Sequence, residues 1–212
     1  MVDSDFPDRG KVLTVIEVLR KNRFKAEFFQ TSQDVLSHLL EVVPIDVTVG
    51  VAGSWTLTQL GALKSLKDRG NTTYCHFIPG LSPEEVMDMR RKQLTCDVFL
   101  CGANAITEDG QLVNTDATGN RVAAMIFGPK KTIIITGFNK IVKDIAAAQE
   151  RIRTIAAPQN NKRLKRPNPC VETGYCVDCQ GPSRLCNVQT ILQKCPQASN
   201  IHVWVVGEEL GQ

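Results

Sequence analysis

The apolar positions of this chain switch between two periods, and each switch predicts a change of element. Residues 11–22 carry apolar side chains at helical spacing, whereas residues 24–29 alternate apolar and polar as a strand does. Ser32 can cap a second helix whose apolar positions are Val35, Leu36, Leu39 and Leu40. Residues 47–53 form a β-rich run ending in glycine, and the helix expected next pairs Thr56 with Gln59 in a capping box. Ser82, Pro83, Glu84 and Glu85 open another helix, with a cap, a proline that has no N–H to lose, and two carboxylates at the positive end of the dipole. Residues 98–102 and 131–137 are continuous apolar runs, as strands buried on both faces are. Between them, Glu108, Asp109 and Gly110 read as the turn of a small hairpin and residues 119–127 as a short helix. A long amphipathic helix is expected over residues 139–157, a helix-like stretch over 188–194 and a last strand over 201–206.

Strands alternating with helices predict an α/β fold class, a mostly parallel sheet with helices on both faces. Residues 158–169 are low in hydrophobicity and read as a linker or loop. The chain is therefore expected to divide into an α/β ligand-binding domain (1–157), a Cys-rich segment (158–196) and a final strand (197–212) that returns to the α/β domain.

Composition narrows the function classes. With 42% hydrophobic and 22% charged residues in 212, the chain can bury a sizeable core. A net charge of +3 gives no concentrated basic face, so nucleic acid is not an expected partner. The densest basic run, Lys162–Arg166, lacks interleaved aromatics and reads as a solvated linker. No apolar run reaches the roughly 18 residues a membrane span needs. The acidic opening Met1–Asp5 is not followed by a signal core, so a cytoplasmic location is expected.

Ligands of open α/β sheets collect at the carboxyl ends of the strands, and three loops leave predicted strand ends. In the first, Gly53 lets a ligand approach the backbone, and Ser54 and Thr56 offer hydroxyls beside free helix amides suited to phosphate or carboxylate. The second, Gly102–Arg121, gathers Asn104, Glu108, Asn114, Asp116, Asn120 and Arg121, more polar groups than a mere connection needs. Arg121 is expected to grip an anion bidentately, with Glu108 and Asp116 as candidate acid–base groups. The third holds Asn139, a helix cap or a ligand contact, and Lys140, a cation placed against the dipole of the expected helix. His38, His76 and His202 read as solvated or core histidines.

The segments Gly102–Gly110, Asp116–Arg121, Gly128–Lys131 and Gly137–Lys140, with Gly50–Leu57 before them, closely resemble the LUD-domain family of lactate-utilisation, YkgG-type proteins. The resemblance runs over nearly the whole chain from about residue 10. It implies a fold similar to ribose-phosphate isomerases, glucosamine-phosphate deaminases and coenzyme A transferases. It also implies a role in oxidising lactate to pyruvate alongside iron–sulfur partner subunits. A related sugar-phosphate isomerase branch carries a catalytic aspartate where this chain has Asn104, and an amide cannot act as a general base. The chain has no Gly-x-Gly-x-x-Gly fingerprint, which argues against NAD.

Eight cysteines are unusual for a reducing compartment. Cys75, Cys96 and Cys101 lie in apolar runs and read as small buried hydrophobes. Cys170, Cys176, Cys179 and Cys186 are spaced to reach one metal, either an iron–sulfur cluster or zinc, with Cys195 as a spare. Free thiols are the alternative.

The expected function is thus a redox-associated protein of organic-acid utilisation that binds a small anionic metabolite and a Cys-ligated cluster or metal. An isomerase- or transferase-like enzyme acting on a phosphorylated or coenzyme A-linked substrate, and a zinc-stapled scaffold subunit, are the alternatives. Iron–sulfur partner subunits and self-association are compatible with all three.

Overall fold

The computed structural model describes residues 9–212, so the acidic opening Met1–Asp5 lies outside the described residues. The elements run α1 (Arg9–Lys21), β1 (Lys25–Phe29), α2 (Ser32–Val42), β2 (Thr48–Val51), α3 (Trp55–Gln59), α4 (Ala62–Asp68), β3 (Thr72–Cys75), α5 (Pro83–Thr95) and β4 (Val98–Cys101). Then follow β5 (Ala105–Thr107), β6 (Leu112–Asp116), α6 (Asn120–Ile126), β7 (Lys131–Gly137), β8 (Ile141–Val142), α7 (Ile145–Arg151), α8 (Ala157–Arg163), α9 (Cys170–Thr173), β9 (Val188–Leu192) and β10 (Ile201–Val206).

Six strands form one parallel sheet in the order β1-β10-β7-β4-β2-β3. The apolar runs are buried on both faces because alternate side chains feed separate cores. Ile134, Val203 and Val205 pack with Val12, Val15, Ile16 and Leu19 of α1 on one side. Ile133, Ile135, Trp204 and Val206 pack with Val35 and Leu39 of α2 and Leu66 of α4 on the other. The α/β expectation therefore holds. Among the described residues, no helix is long and apolar enough to cross a membrane.

A second, four-stranded sheet (β8-β5-β6-β9) projects from the carboxyl end of the main one. Its centre is the expected hairpin, turning at Gly110 with φ +75°. The hairpin is docked on α1 by the Asn22 amide, which donates to the carbonyls of Asp109 and Gly110.

Several boundaries differ from the expectation. Thr31, not Ser32, caps α2, in a capping box with Asp34. The helix expected at residue 139 begins at Ile145 behind an Asp144 cap, because residues 138–140 make a 3₁₀ turn and residues 141–142 pair with β5. It continues through a π-helical turn, Ile152–Ala156, into α8 and ends at Arg163. Pro158 has no N–H to donate, and the chain widens into the π turn just before it rather than breaking. The stretch 188–194 is not helical. Val188–Leu192 is a strand paired antiparallel with β6, because its partner edge was free. The residues expected as a linker and Cys-rich segment are thus woven into both a helix and the second sheet.

Candidate functional site

Loops leaving the carboxyl ends of β2, β3, β4 and β7 meet beside α8 and enclose a cavity of about 240 Å³. In the loop after β2, a Cβ on Gly53 would overlap the Phe77 ring, so only glycine permits this approach. Ser54, rather than Thr56, caps α3, accepting from the Leu57 N–H at 3.5 Å. Gln59 makes no capping box and instead accepts from the Gly211 N–H. Thr56 is buried beneath the cavity and accepts from the Lys140 ammonium at 3.2 Å.

In the loop after β4, Asn104 and Asn114 lock the strand ends together. The Asn104 N–H donates to Asn114 Oδ1 at 3.0 Å, and the Thr115 N–H donates to Asn104 Oδ1 at 2.8 Å. Arg121 sits between them. Its guanidinium donates to Asp116 Oδ1, Gly102 O, Asn114 Oδ1, Asn104 Oδ1 and Thr115 O. Five acceptors occupy the five N–H groups of an arginine. Arg121 therefore braces the cavity floor and has no free fork for a bidentate ligand. Asp116 accepts from Arg121 and from the Val122 N–H, so its charge is engaged inside the protein. Asn120 faces the cavity. Glu108 does not: it stands outside, ion-paired with Lys11 at 2.8 Å.

In the loop after β7, Asn139 turns away and accepts from the Leu210 N–H. Lys140 reaches the cavity although no helix begins at this residue, so the dipole argument for it does not apply. Its Nζ is buried and donates to Thr56 Oγ1 and to Ala103 O at 3.3 Å. Burial, then the positive charges of Arg151 and Arg121, lower its pKa to about 7.

The cavity wall holds residues that sequence reasoning passed over. His76, read as a core histidine, follows β3 and lines the cavity. Its Nδ1 lies 3.1 Å from Gln93 Nε2. Burial and the neighbouring Arg90 push its pKa down to about 4. Arg90 contributes a buried Nε that has no hydrogen-bond partner among the described residues. Arg163 lies over the rings of Trp55 and Phe77, 6.0 and 5.8 Å from their centroids, and donates to Gly53 O. Arg163 and Arg166 come from the run expected as a solvated linker; extending the helix to residue 163 turns Arg163 inward, while Arg166 stays exposed at the cavity edge. The β-rich Thr72–Cys75 run was the missed signal for His76, since a strand there places residue 76 at a strand end. Among the described lining residues, Asp116 is the single side-chain carboxylate, alongside Arg90, Arg121, Lys140, Arg163 and Arg166.

Three of the cysteines are buried as expected, whereas Cys195, expected as a spare ligand, is not with the loop cysteines. Cys75, Cys96 and Cys101 are buried, and burial raises all three thiols, Cys101 to about 12. Cys170, Cys176, Cys179 and Cys186 lie near enough to one another that their charges interact. Arg184 ties their loop together through the carbonyls of Cys179 and Cys186 and the Asp178 carboxylate. Asn168 anchors it from below by donating to Asn161 Oδ1 and Ser183 O. The thiols are grouped without being drawn into a ligand shell: among the described residues, no three His, Cys, Asp or Glu side chains stand at metal-holding geometry. Cys195 stands apart in the main core, its Sγ beside Pro196 O and Ser199 O. Leu185, within the same loop, reaches the cavity.

A family model described as LUD domain matches residues 13–206. No curated protein matches the chain. Among solved structures, the chain is similar to a DUF162 family protein from Deinococcus radiodurans, at 13% identity and TM-score 0.52, over 96% of this chain and 100% of that one. It is also similar to eIF2B delta from Chaetomium thermophilum, at 13% identity and TM-score 0.36, over 64% of this chain and 52% of that one.

Proposed function

This chain belongs to the LUD-domain family, and within it we propose a redox-associated protein of lactate or related organic-acid utilisation. It binds a small organic anion in the strand-end cavity and carries an iron–sulfur cluster on the cysteine loop beside it. The observation that carries the anion reading is the charge balance of the cavity wall. Arg90 and Arg163 line the space with no carboxylate partner among the described residues, while the one side-chain carboxylate among the described lining residues is held by Arg121. A guanidinium in a low-dielectric recess favours a carboxylate or phosphate that replaces its lost water. The cavity volume of about 240 Å³ suits a metabolite smaller than a nucleotide. The family's association with lactate utilisation gives that metabolite its class, a short hydroxy or oxo acid.

The cluster reading rests on the donor set. Cys170, Cys176, Cys179 and Cys186 supply four sulfurs on one loop, and Arg184 offsets their charge. A bound cluster would exchange electrons; Leu185 joins its loop to the cavity wall.

Isothermal titration of the purified chain with lactate, pyruvate and inorganic phosphate tests the anion reading. Saturable binding that weakens with salt and is lost in Arg90→Ala supports it. Absence of binding to all three refutes it. Iron and sulfide analysis of protein purified without oxygen tests the cluster.

A further inference from the structure

We propose that Lys140 is a nucleophile that forms an imine with the carbonyl carbon of a short oxo acid bound in the cavity. The inference rests on the reading of the cavity as an anion site and names the class of anion it takes.

Two features of the amine set it apart from an ordinary buried lysine. First, nothing neutralises it: its partners are a hydroxyl and a carbonyl, and no carboxylate among the described residues acts on it. Buried ammonium groups are ordinarily paired. The charges that act on it are those of Arg151 and Arg121, both positive. Burial and like charge both favour the neutral amine, the nucleophilic form. Second, the amine is confined on one side and open on the other. Gly211, at φ +77°, packs so closely on Nζ that a Cβ there would overlap it. Its other side faces the cavity.

The rest of the wall then defines the electrophile. Arg90 and Arg163 provide for a carboxylate, leaving the amine to meet a group that lacks charge and accepts an electron pair. An oxo acid carries both groups a bond or two apart. In the step itself, the Nζ lone pair attacks the carbonyl carbon and the C=O electrons move onto oxygen. A proton passes from nitrogen to that oxygen to give the carbinolamine. The nitrogen lone pair then forms the C=N bond as the C–O bond breaks, and the second N–H proton joins the departing hydroxyl, which leaves as water. One amine and one ketone become one imine and one water, with no change of oxidation state.

The experiment incubates the full chain with pyruvate and sodium borohydride, then locates the reduced adduct by intact-mass analysis and peptide mapping. Calorimetry runs alongside with pyruvate and with lactate, which has no carbonyl to react. The expected result is a single dominant adduct on Lys140 that disappears in Lys140→Arg, a variant whose melting curve checks its fold. Adduct formation should decline as pH falls below about 7, where the amine is protonated. If both acids bind but no adduct forms, or adducts scatter over surface lysines, the imine is overturned and the anion site stands. If neither acid binds, the anion reading falls and the imine with it.

Discussion

Arg121 and Asn104 share one oxygen: Asn104 Oδ1 accepts from Arg121 Nη2 at 3.3 Å while also receiving the Thr115 N–H at 2.8 Å. That oxygen joins the end of β4 to the end of β6, and the guanidinium fixes both against Asp116. Polar groups of this loop that resemble ligand contacts in sequence thus hold one another.

Arg121→Ala should therefore act on stability before it acts on binding. It strips the Asp116 carboxylate of its cation and leaves Asn104 and Asn114 oxygens short of donors. A broken buried ion pair of this kind costs about 3 kcal/mol. Urea denaturation should show a lower midpoint, and Arg121→Lys should recover little because an ammonium lacks the planar fork. An unchanged midpoint would mean that Arg121 is free for ligand after all.

Arg90→Ala and Arg163→Ala should do the reverse. Neither guanidinium joins that buried ion-pair network. Each substitution removes one charged donor to the anion, and a charged hydrogen bond contributes about 1.5–3 kcal/mol. Anion affinity should fall by roughly tenfold or more, with melting temperature little changed. Equal affinity in both variants would place the anion elsewhere.

Stability should depend on pH at both ends of the range. The folded pKa of His76 is depressed to about 4 from an ordinary 6.5, chiefly by burial. The unfolded chain takes up the proton first, so stability is intact above about 6.5 and falls as pH drops toward 4, by about 2 kcal/mol for this residue. His202, whose buried ring nitrogens have no partner among the described residues and whose pKa is also about 4, adds in the same direction. Lys140 works at the alkaline side: with a folded value near 7 against 10.5, stability should rise between those limits as the unfolded chain loses its proton. Denaturation midpoints across pH 4–10 check both, with His76→Gln flattening the acid limb and Lys140→Met the alkaline one. A profile unmoved by either variant contradicts the assignment.

The sheet was legible because period-two alternation and buried runs leave a clear trace, as in residues 98–102 and 131–137. The site was legible where a loop followed such a run: Gly53, Ser54, Asn104 and Lys140 were all named. His76 lies in a strand-like run, where a histidine reads as a core residue; the strand stops at Cys75, which puts residue 76 at its carboxyl end instead. Arg163 and Arg166 were passed over because the π turn before Pro158 carries a helix past the point where proline predicts an end. Glu108 was misplaced for a simpler reason, since sequence cannot say on which end of a hairpin a turn residue lands.

The cysteine loop yields the sharpest contrast, because two cysteines near in sequence have opposite fates. Cys186 shares its surroundings with Cys170, Cys176 and Cys179, whereas Cys195 is sealed in the main core. Cys186→Ser should abolish iron and sulfide incorporation and the broad absorbance near roughly 400 nm that a thiolate-held cluster gives. Cys195→Ser should leave both unchanged and cost stability alone, by about 1 kcal/mol, since the smaller, more polar hydroxyl packs less well in the core but keeps the Pro196 and Ser199 carbonyls as acceptors. If one zinc per chain replaces the iron, the same two variants still separate ligand from core residue, and the loop becomes a structural staple. Equal metal content in Cys186→Ser and the parent chain would remove the loop from any account of redox chemistry.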